Sequence, residues 1–308
     1  IVVSWLFFES CLDKFTGVHD IKNINTYEMN NLINSLAIVA TPIGNLDDIT
    51  YRAVNILKDC DIIICENPKH SLKLLNKLDI KKKLFSLHDY NEEALIKKIE
   101  NYQKDSLFAL ISDAGSPLIS DPGHKLVKNF INRNIFITSI PGPSSIISSL
   151  QLSGLNLNSF VFWGFVPKNN NSAKNVAKKI ILLNLTSIFF IPGRRLKKFL
   201  ELIHINSKNT EVAICKELTK INESVFRGNA KEMIDKISNG EINLKGEFTL
   251  VIGNRKKASK ITIEDKIRKQ ALKILKKYTL TETVEIVHKL SNISKKDIYK
   301  MAIELKND

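Results

Sequence analysis

Three short loops carry the residues best suited to chemistry: TPIGNL at Thr41–Leu46, SDAGSPLISDPG at Ser112–Gly123 and PGPSS at Pro141–Ser145. Gly44, Gly115 and Gly142 let the backbone approach a ligand closely or take a positive φ, while Pro42, Pro117 and Pro143 stiffen the turns. Any one of these loops alone reads equally well as a tight turn between a strand and a helix. Three at the same sheet edge argue for a ligand site. None matches the dinucleotide pattern GxGxxG or the phosphate loop GxxxxGK[ST], so nicotinamide and nucleoside triphosphate readings lose their main support. The six histidines form no ligand-like cluster, and no metal is expected. Cys11, Cys60, Cys65 and Cys215 are too scattered for a disulfide framework or for paired zinc ligands, and they suit a reducing cytosol.

The elements that must hold these loops follow from the hydrophobic pattern. An apolar strand at Leu36–Thr41 is followed by a helical pattern over Tyr51–Lys58, the strand DIIICE, a second helix, and a strand at Phe108–Ser112. A helix near Lys125–Asn132 then leads to the strand IFITSI, and PGPSS opens a further helix with Ser144 or Ser145 as its cap. This is α/β order, and in an open parallel sheet the loops after the strands' carboxyl ends build the ligand crevice. A second α/β block begins near Asn158 with FVFWGFVP and continues through SIFFIP, EVAICKELT and GEFTLVIGN, with helices around Leu196–Ile203 and Ala230–Ile237. The polar NNNSAK stretch at Asn169–Lys174 is expected to be a loop. The expected domains are 35–155 and 156–254, preceded by a lead-in over 1–34, disordered or translated upstream of a physiological start at Met29, and followed by a helical appendage over 255–308.

Composition narrows the partners. The 308-residue chain is 44% hydrophobic and carries a formal charge of +14, which favours a polyanion or an anionic membrane surface. No stretch reaches the ~20 apolar residues needed to cross a bilayer. The apolar opening Ile1–Phe8 is too short for a signal peptide and has no basic region ahead of it. From Arg255 onward Lys and Arg number 15 against 7 acidic residues, so the tail holds more than half of the net charge. Its patterns read as helices over Thr281–Leu290 and from a Ser294 cap to Leu305, with Asp297 in capping-box position. Such a pair resembles a helix-turn-helix, although most are simply packed helices. Lys295 and Lys296 are its candidate nucleic-acid contacts.

Taken together, LAIVATPIGNLDDIT, LHDYNE, SDAGSPLISDPG, IPGPSS, WGFVP, KELTK with Glu223 and Gly228 after it, and KGEFTLVIG occur in the order and approximate spacing of the ribosomal RNA small subunit methyltransferase I family. The resemblance runs from about Leu36 to the end of the chain. It implies the two-domain tetrapyrrole-methylase fold (class III methyltransferase, α/β) with a small C-terminal helical appendage. The activity it implies is transfer of a methyl group from S-adenosylmethionine to the ribose 2′-oxygen of a cytidine in the decoding region of 16S rRNA. The implied enzyme is cytoplasmic, homodimeric and not membrane-bound, with the small ribosomal subunit as partner.

The same resemblance assigns residues. Backbone around Pro42 and Gly44, and around Asp113, Ala114, Gly115, Ser116 and Leu118, would line the cofactor, with Ser144 and Ser145 beside them and Leu218, Glu247 and Thr249 supplied by the second domain. Because a sulfonium methyl is already activated, the protein must mainly align the partners and take a proton from a weakly acidic hydroxyl. Asp113 and Glu66 are the favoured carboxylates for that task, ahead of Glu217 and of Asp121, which a DPG turn explains without chemistry. Lys69 could stabilise the developing alkoxide. Two departures stand out: ENPKH at Glu66–His70 replaces an EDTRH-like segment, and FIPGRR at Phe190–Arg195 replaces a YES-x-HR-like one, losing an acid at Ile191 while keeping Arg194 and Arg195 for phosphates. Two other readings stay open, a precorrin-type methylase on the same fold and an RNA-binding assembly factor that has lost transfer activity. Affinity for S-adenosylmethionine and transfer to a small tetrapyrrole separate them.

Overall fold

A computed structural model of the chain describes residues 34–100, 102, 106–253, 263–291 and 293–307. The expected lead-in up to residue 33, including Met29, lies outside the described residues. The described residues from 34 to 253 pack as one compact unit built on two five-stranded sheets, and the helices from Ile263 onward form a second unit.

The first sheet has the order β3-β2-β4-β1-β5 and is parallel throughout, with β1 at Ser35–Val39, β2 at Ile62–Cys65, β3 at Lys83–Ser86, β4 at Leu107–Ile111 and β5 at Phe136–Ile140. Helices cover both faces, which is why β2 and β4 read as unbroken apolar runs rather than alternating ones. Alternate side chains serve opposite cores. Val39, Ile63 and Ala109 meet Ala53, Ile56 and Leu57 of α1 (Tyr51–Asp59) and Leu75 of α2 (Pro68–Lys77). Leu36, Ile64 and Phe108 meet Leu95 of α3 (Glu92–Glu100) and Leu126 and Phe130 of α4 (His124–Asn132). The strand β3 and the helix α3 were not foreseen from sequence. β3 has only four residues, of which Phe85 alone is buried, so it shows no period.

The second sheet has the order β6-β7-β10-β8-β9, formed by Phe160–Phe165, Thr186–Phe190, Phe248–Ile252, Glu211–Lys216 and Ser224–Asn229 respectively. Only β6 and β7 run parallel. One face packs Phe189, Ile214 and Leu250 against α7 (Gly193–Asn206) and α8 (Ala230–Ser238) through Leu196, Phe199 and Met233. The other face receives α5 (Ser145–Ser153), whose Leu150 sits with Ile188, Ala213 and Val251 and so couples the PGPSS loop to this sheet.

One sequence expectation is corrected here. The NNNSAK stretch is not a loop but the first turns of α6 (Asn170–Leu183). The Asn169 side chain accepts from the backbone N–H groups of Asn171 and Ser172, and Ala173, Ala177 and Ile180 bury the inner stripe. A polar run at a capped helix start looks like a loop because the capping residues are those of turns.

The second unit holds α9 (Ile263–Leu275), α10 (Leu280–Leu290) and α11 (Lys295–Asn307) around Ala271, Val284, Val287, Ile298 and Ala302. Thr279 caps α10 through a full capping box, and Ser294 caps α11 by accepting from Asp297 N–H at 3.2 Å. No helix among the described residues is long and apolar enough to cross a membrane.

Candidate active site

The three Gly-bearing loops leave β1, β4 and β5 at the carboxyl edge of the first sheet, and hydrogen bonds lash them together. Thr41 and Gly115 exchange backbone N–H···O bonds at 2.9 Å each way, and the Thr41 hydroxyl donates to the Ser112 carbonyl at 3.1 Å. Gly115 takes φ +79°, and a Cβ there would lie 3.2 Å from Ile43 Cγ2, so only glycine fits without strain. The Ser116 hydroxyl reaches the Pro143 carbonyl at 3.5 Å, tying in the PGPSS loop. Leu118 and Ser120 hold left-handed backbone at φ 71° and 70°. For non-glycine residues such a conformation costs on the order of 1–3 kcal/mol each and gathers at functional sites.

The facing wall comes from the loop after β8. Glu217 and Thr219 are also left-handed, at φ 51° and 63°. The Glu217 carboxylate accepts from Glu247 N–H at 2.8 Å and from Lys220 Nζ at 3.2 Å. Its oxygen would lie 2.7 Å from a Cβ on Gly246, whose φ is +104°. The Thr219 hydroxyl accepts from Asn45 N–H at 2.9 Å, clamping the first loop of one sheet to the other.

Between these walls lies a cavity of about 480 Å³, within the ~300–1,000 Å³ usual for small-molecule sites. Of the residues expected from sequence, Asp113, Ala114, Gly115, Ser116, Ser144, Ser145, Leu218, Glu247 and Thr249 line it. Pro42, Gly44 and Leu118 do not. Ile43 takes the place expected for Pro42. Gly44 is needed instead for the clamp, because a Cβ would come within 2.6 Å of both Thr219 and Lys220. Leu118 turns into the α3–α4 core.

The carboxylates are sorted by their surroundings. Asp113 lines the cavity, and its Oδ1 is buried without a hydrogen-bond partner. Asp121 lines the same cavity, and burial, reinforced by the charges of Glu66 and Asp113 and opposed by a Ser112 hydrogen bond, pushes its carboxyl up to about 6. Glu217 is held below the ordinary carboxylate range, chiefly by the Glu247 N–H. Glu66 is exposed and is not in the cavity wall. Partial burial and then the Asp113 and Asp89 charges raise its pKa, so it acts on Asp121 as a neighbouring charge. The sequence reading ranked Glu66 above Asp121, and the geometry reverses that order. The available signal was that Asp121 follows Asp113 on one loop.

Lys69, Arg194 and Arg195, expected to meet RNA, are not among the residues that line the cavity. Lys69 and Arg194 are exposed near the starts of α2 and α7, and Lys295 and Lys296 are exposed on the first turn of α11, where Lys295 pairs with Glu285 at 3.5 Å. Arg195 is committed to structure, donating from Nη2 to the Lys168 carbonyl at 2.6 Å. Both departures have a structural sense. In ENPKH, Asn67 caps α2 and Pro68 occupies its first turn. In FIPGRR, Ile191 supplies a buried apolar wall. Phe165, Phe190 and Pro192, which also line the cavity, were not singled out from sequence. Among the described residues no group of three or more His, Cys, Asp or Glu is placed to hold a metal.

Comparison with known proteins agrees with this layout. Residues 35–234 match the Tetrapyrrole (Corrin/Porphyrin) Methylases. The chain is 40% identical to ribosomal RNA small subunit methyltransferase I of Rickettsia prowazekii, over 87% of this chain and 96% of that protein. It is 38% identical to the protein of that name from Halalkalibacterium halodurans, over 77% of this chain and 82% of that protein. The fold is shared with the solved cobalt precorrin-4 methyltransferase (TM-score 0.54, 15% identity, 71% of this chain and 94% of that one). A solved diphthine synthase shares it as well (TM-score 0.54, 15% identity, 71% and 90%). With a profile match over most of the length and relatives covered nearly end to end, the chain belongs to the tetrapyrrole methylase family and, within it, to the ribosomal RNA small subunit methyltransferase I group.

Proposed function

We propose that this protein methylates the ribose 2′-oxygen of a cytidine in the decoding region of 16S rRNA, using S-adenosylmethionine. The observation that carries the reading is the convergence of SDAGSP, PGPSS and the strand carrying Thr249 on one cavity. The polar wall of Asp113, Ser116, Ser144, Ser145 and Thr249 suits the ammonium, amine and ribose hydroxyl groups of S-adenosylmethionine. Gly115 leaves the space for the close approach.

When bound, S-adenosylmethionine supplies a methyl carbon already activated by its positive sulfur. The chain's own work is alignment and proton removal. Asp113, Ala114, Gly115, Ser116, Ser144 and Ser145 would hold the cofactor from the first sheet, and Leu218, Glu247 and Thr249 from the second. Asp121 is the best-placed proton acceptor, since its pKa of about 6 leaves it ionised yet basic near neutral pH. Arg194, Lys69, Lys295 and Lys296 would bind phosphates of the small-subunit RNA. The lobes 35–155 and 156–254 carry the reaction, and 255–308 delivers the substrate. The enzyme works in the cytoplasm as a homodimer, which light scattering would test.

Calorimetry with S-adenosylmethionine and methyl transfer to small ribosomal subunits lacking the mark test the reading together. Absence of cofactor binding would favour a degenerate RNA-binding factor, and transfer to a small tetrapyrrole would favour the precorrin-type reading.

A further inference from the structure

The second sheet gives the cavity an aromatic lip. β6 is an edge strand, and its pairing with β7 runs Phe160 to Thr186, Val161 to Ser187 and Phe162 to Ile188 before the register shifts to Phe165 opposite Phe190. Three steps on β6 therefore span two on β7. Gly164, at φ +71°, sits within this bulge in the left-handed backbone that glycine tolerates. In a regular strand Phe162 and Phe165 would point to opposite faces. Here both rings meet Phe190, with centroids 5.0 and 5.4 Å away. Phe165 lines the cavity yet keeps 59% of its surface open.

We propose that Phe165, backed by Phe190, is the stacking platform for an unstacked nucleobase of the RNA substrate, with Lys168 and Arg194 contacting the adjoining phosphates. This deepens the function proposed above and rests on it. Sequence-specific RNA recognition targets single-stranded segments whose bases can be splayed out, and such RNA is held by stacking on aromatic rings beside cations. Lys168 follows Phe165 by three residues and Arg194 follows Phe190 by four, and both are exposed. Arg195 fixes the Lys168 segment through its bond to the Lys168 carbonyl. These cations, on a chain of net charge +14, favour an anionic strand over a second copy of the protein as the occupant. The bulge also adjoins the chemistry. A Cβ on Gly164 would lie 3.7 Å from the Ser120 hydroxyl, and Asp121 is the next residue.

The test uses the full chain, small ribosomal subunits, and a short single-stranded RNA carrying one pyrrolo-cytidine, a cytosine analogue whose fluorescence falls on stacking. Wild type should quench the probe. Phe165→Ala should lose the quenching and raise KM for the RNA about tenfold or more, with S-adenosylmethionine affinity within about twofold of wild type. Phe165→Trp should keep both properties, and Gly164→Val, which disfavours the bulge, should behave like Phe165→Ala. Unchanged quenching and unchanged KM in Phe165→Ala would overturn the platform, as would a wild-type protein that binds the probe without quenching it. A wild-type protein that transfers no methyl group would sink the parent reading instead, and the quenching comparison would still decide the platform.

Discussion

Two loops face each other across the cavity and use the same backbone device to different ends. The Ser112–Gly123 loop of the first sheet and the Glu217–Lys220 loop of the second each hold two non-glycine residues in left-handed backbone. Each also brings a carboxylate to the cavity wall. Asp121, desolvated by burial and crowded by Glu66 and Asp113, is driven up to about 6. Glu217, fed by the Glu247 N–H and Lys220, is driven down. Carboxylates whose environments push them apart are how one site divides chemistry from scaffolding. In the function proposed above, the first loop is the reactive wall and the second the brace.

The largest expected effect falls on the first loop. Gly115→Val should abolish S-adenosylmethionine binding, because a β-branched residue must occupy left-handed backbone against Ile43. Unchanged affinity by calorimetry in a folded variant would move the cofactor elsewhere. Asp121→Asn should lower kcat by about 10²–10⁴-fold with cofactor affinity intact. The wild-type rate should climb with pH through a midpoint near 6, and the variant should lose that limb. The stability change has a definite sign. A carboxylate whose folded pKa is raised from 3.8 to about 6 loses stability as pH rises between those values. Asp121→Asn should therefore melt higher than wild type at pH 8, and a lower melting temperature would contradict the assignment.

The brace should respond in the opposite sense. Glu217→Ala removes the acceptor for the Glu247 N–H and should cost about 1–3 kcal/mol of stability, with a smaller loss of kcat than at Asp121. Because the Glu217 pKa is lowered from 4.5, its contribution is present above that value and fades as pH falls below it. Wild type and variant should therefore converge in acid urea melts. A kcat loss as deep as that of Asp121→Asn would erase the distinction between the loops. The smallest effect belongs to the tail. Lys295→Gln with Lys296→Gln should reduce the salt slope of RNA binding by roughly 1.5–2 and leave the cofactor untouched, and an unchanged slope would remove the tail from the RNA interface.

Sequence exposed the reactive loop better than its partners. Gly115 beside Asp113 and Ser116 is legible because few roles need that combination, and all three line the cavity as expected. A DPG turn explains Asp121 without chemistry, whereas its tuning comes first from burial and then from the charge of Glu66, which the pairing of β2 with β4 brings near. Gly44 read as a ligand turn but serves the clamp to Thr219, a contact across 174 residues that no local pattern carries. Phe165 hid in an apolar strand. Only Gly164 hinted that the alternation breaks there. The sheets themselves were legible where strands were fully buried, as in DIIICE, and illegible where they were short and half-exposed, as in β3.

The account meets its most direct test in mass spectrometric mapping of 2′-O-methylcytidine in 16S rRNA from cells lacking the gene, complemented with wild type or with Asp121→Asn. It predicts a decoding-region mark that disappears with the gene, returns with wild type, and stays absent or nearly so with a variant that is expressed and still binds S-adenosylmethionine. A mark that persists without the gene, or that Asp121→Asn restores in full, would contradict it.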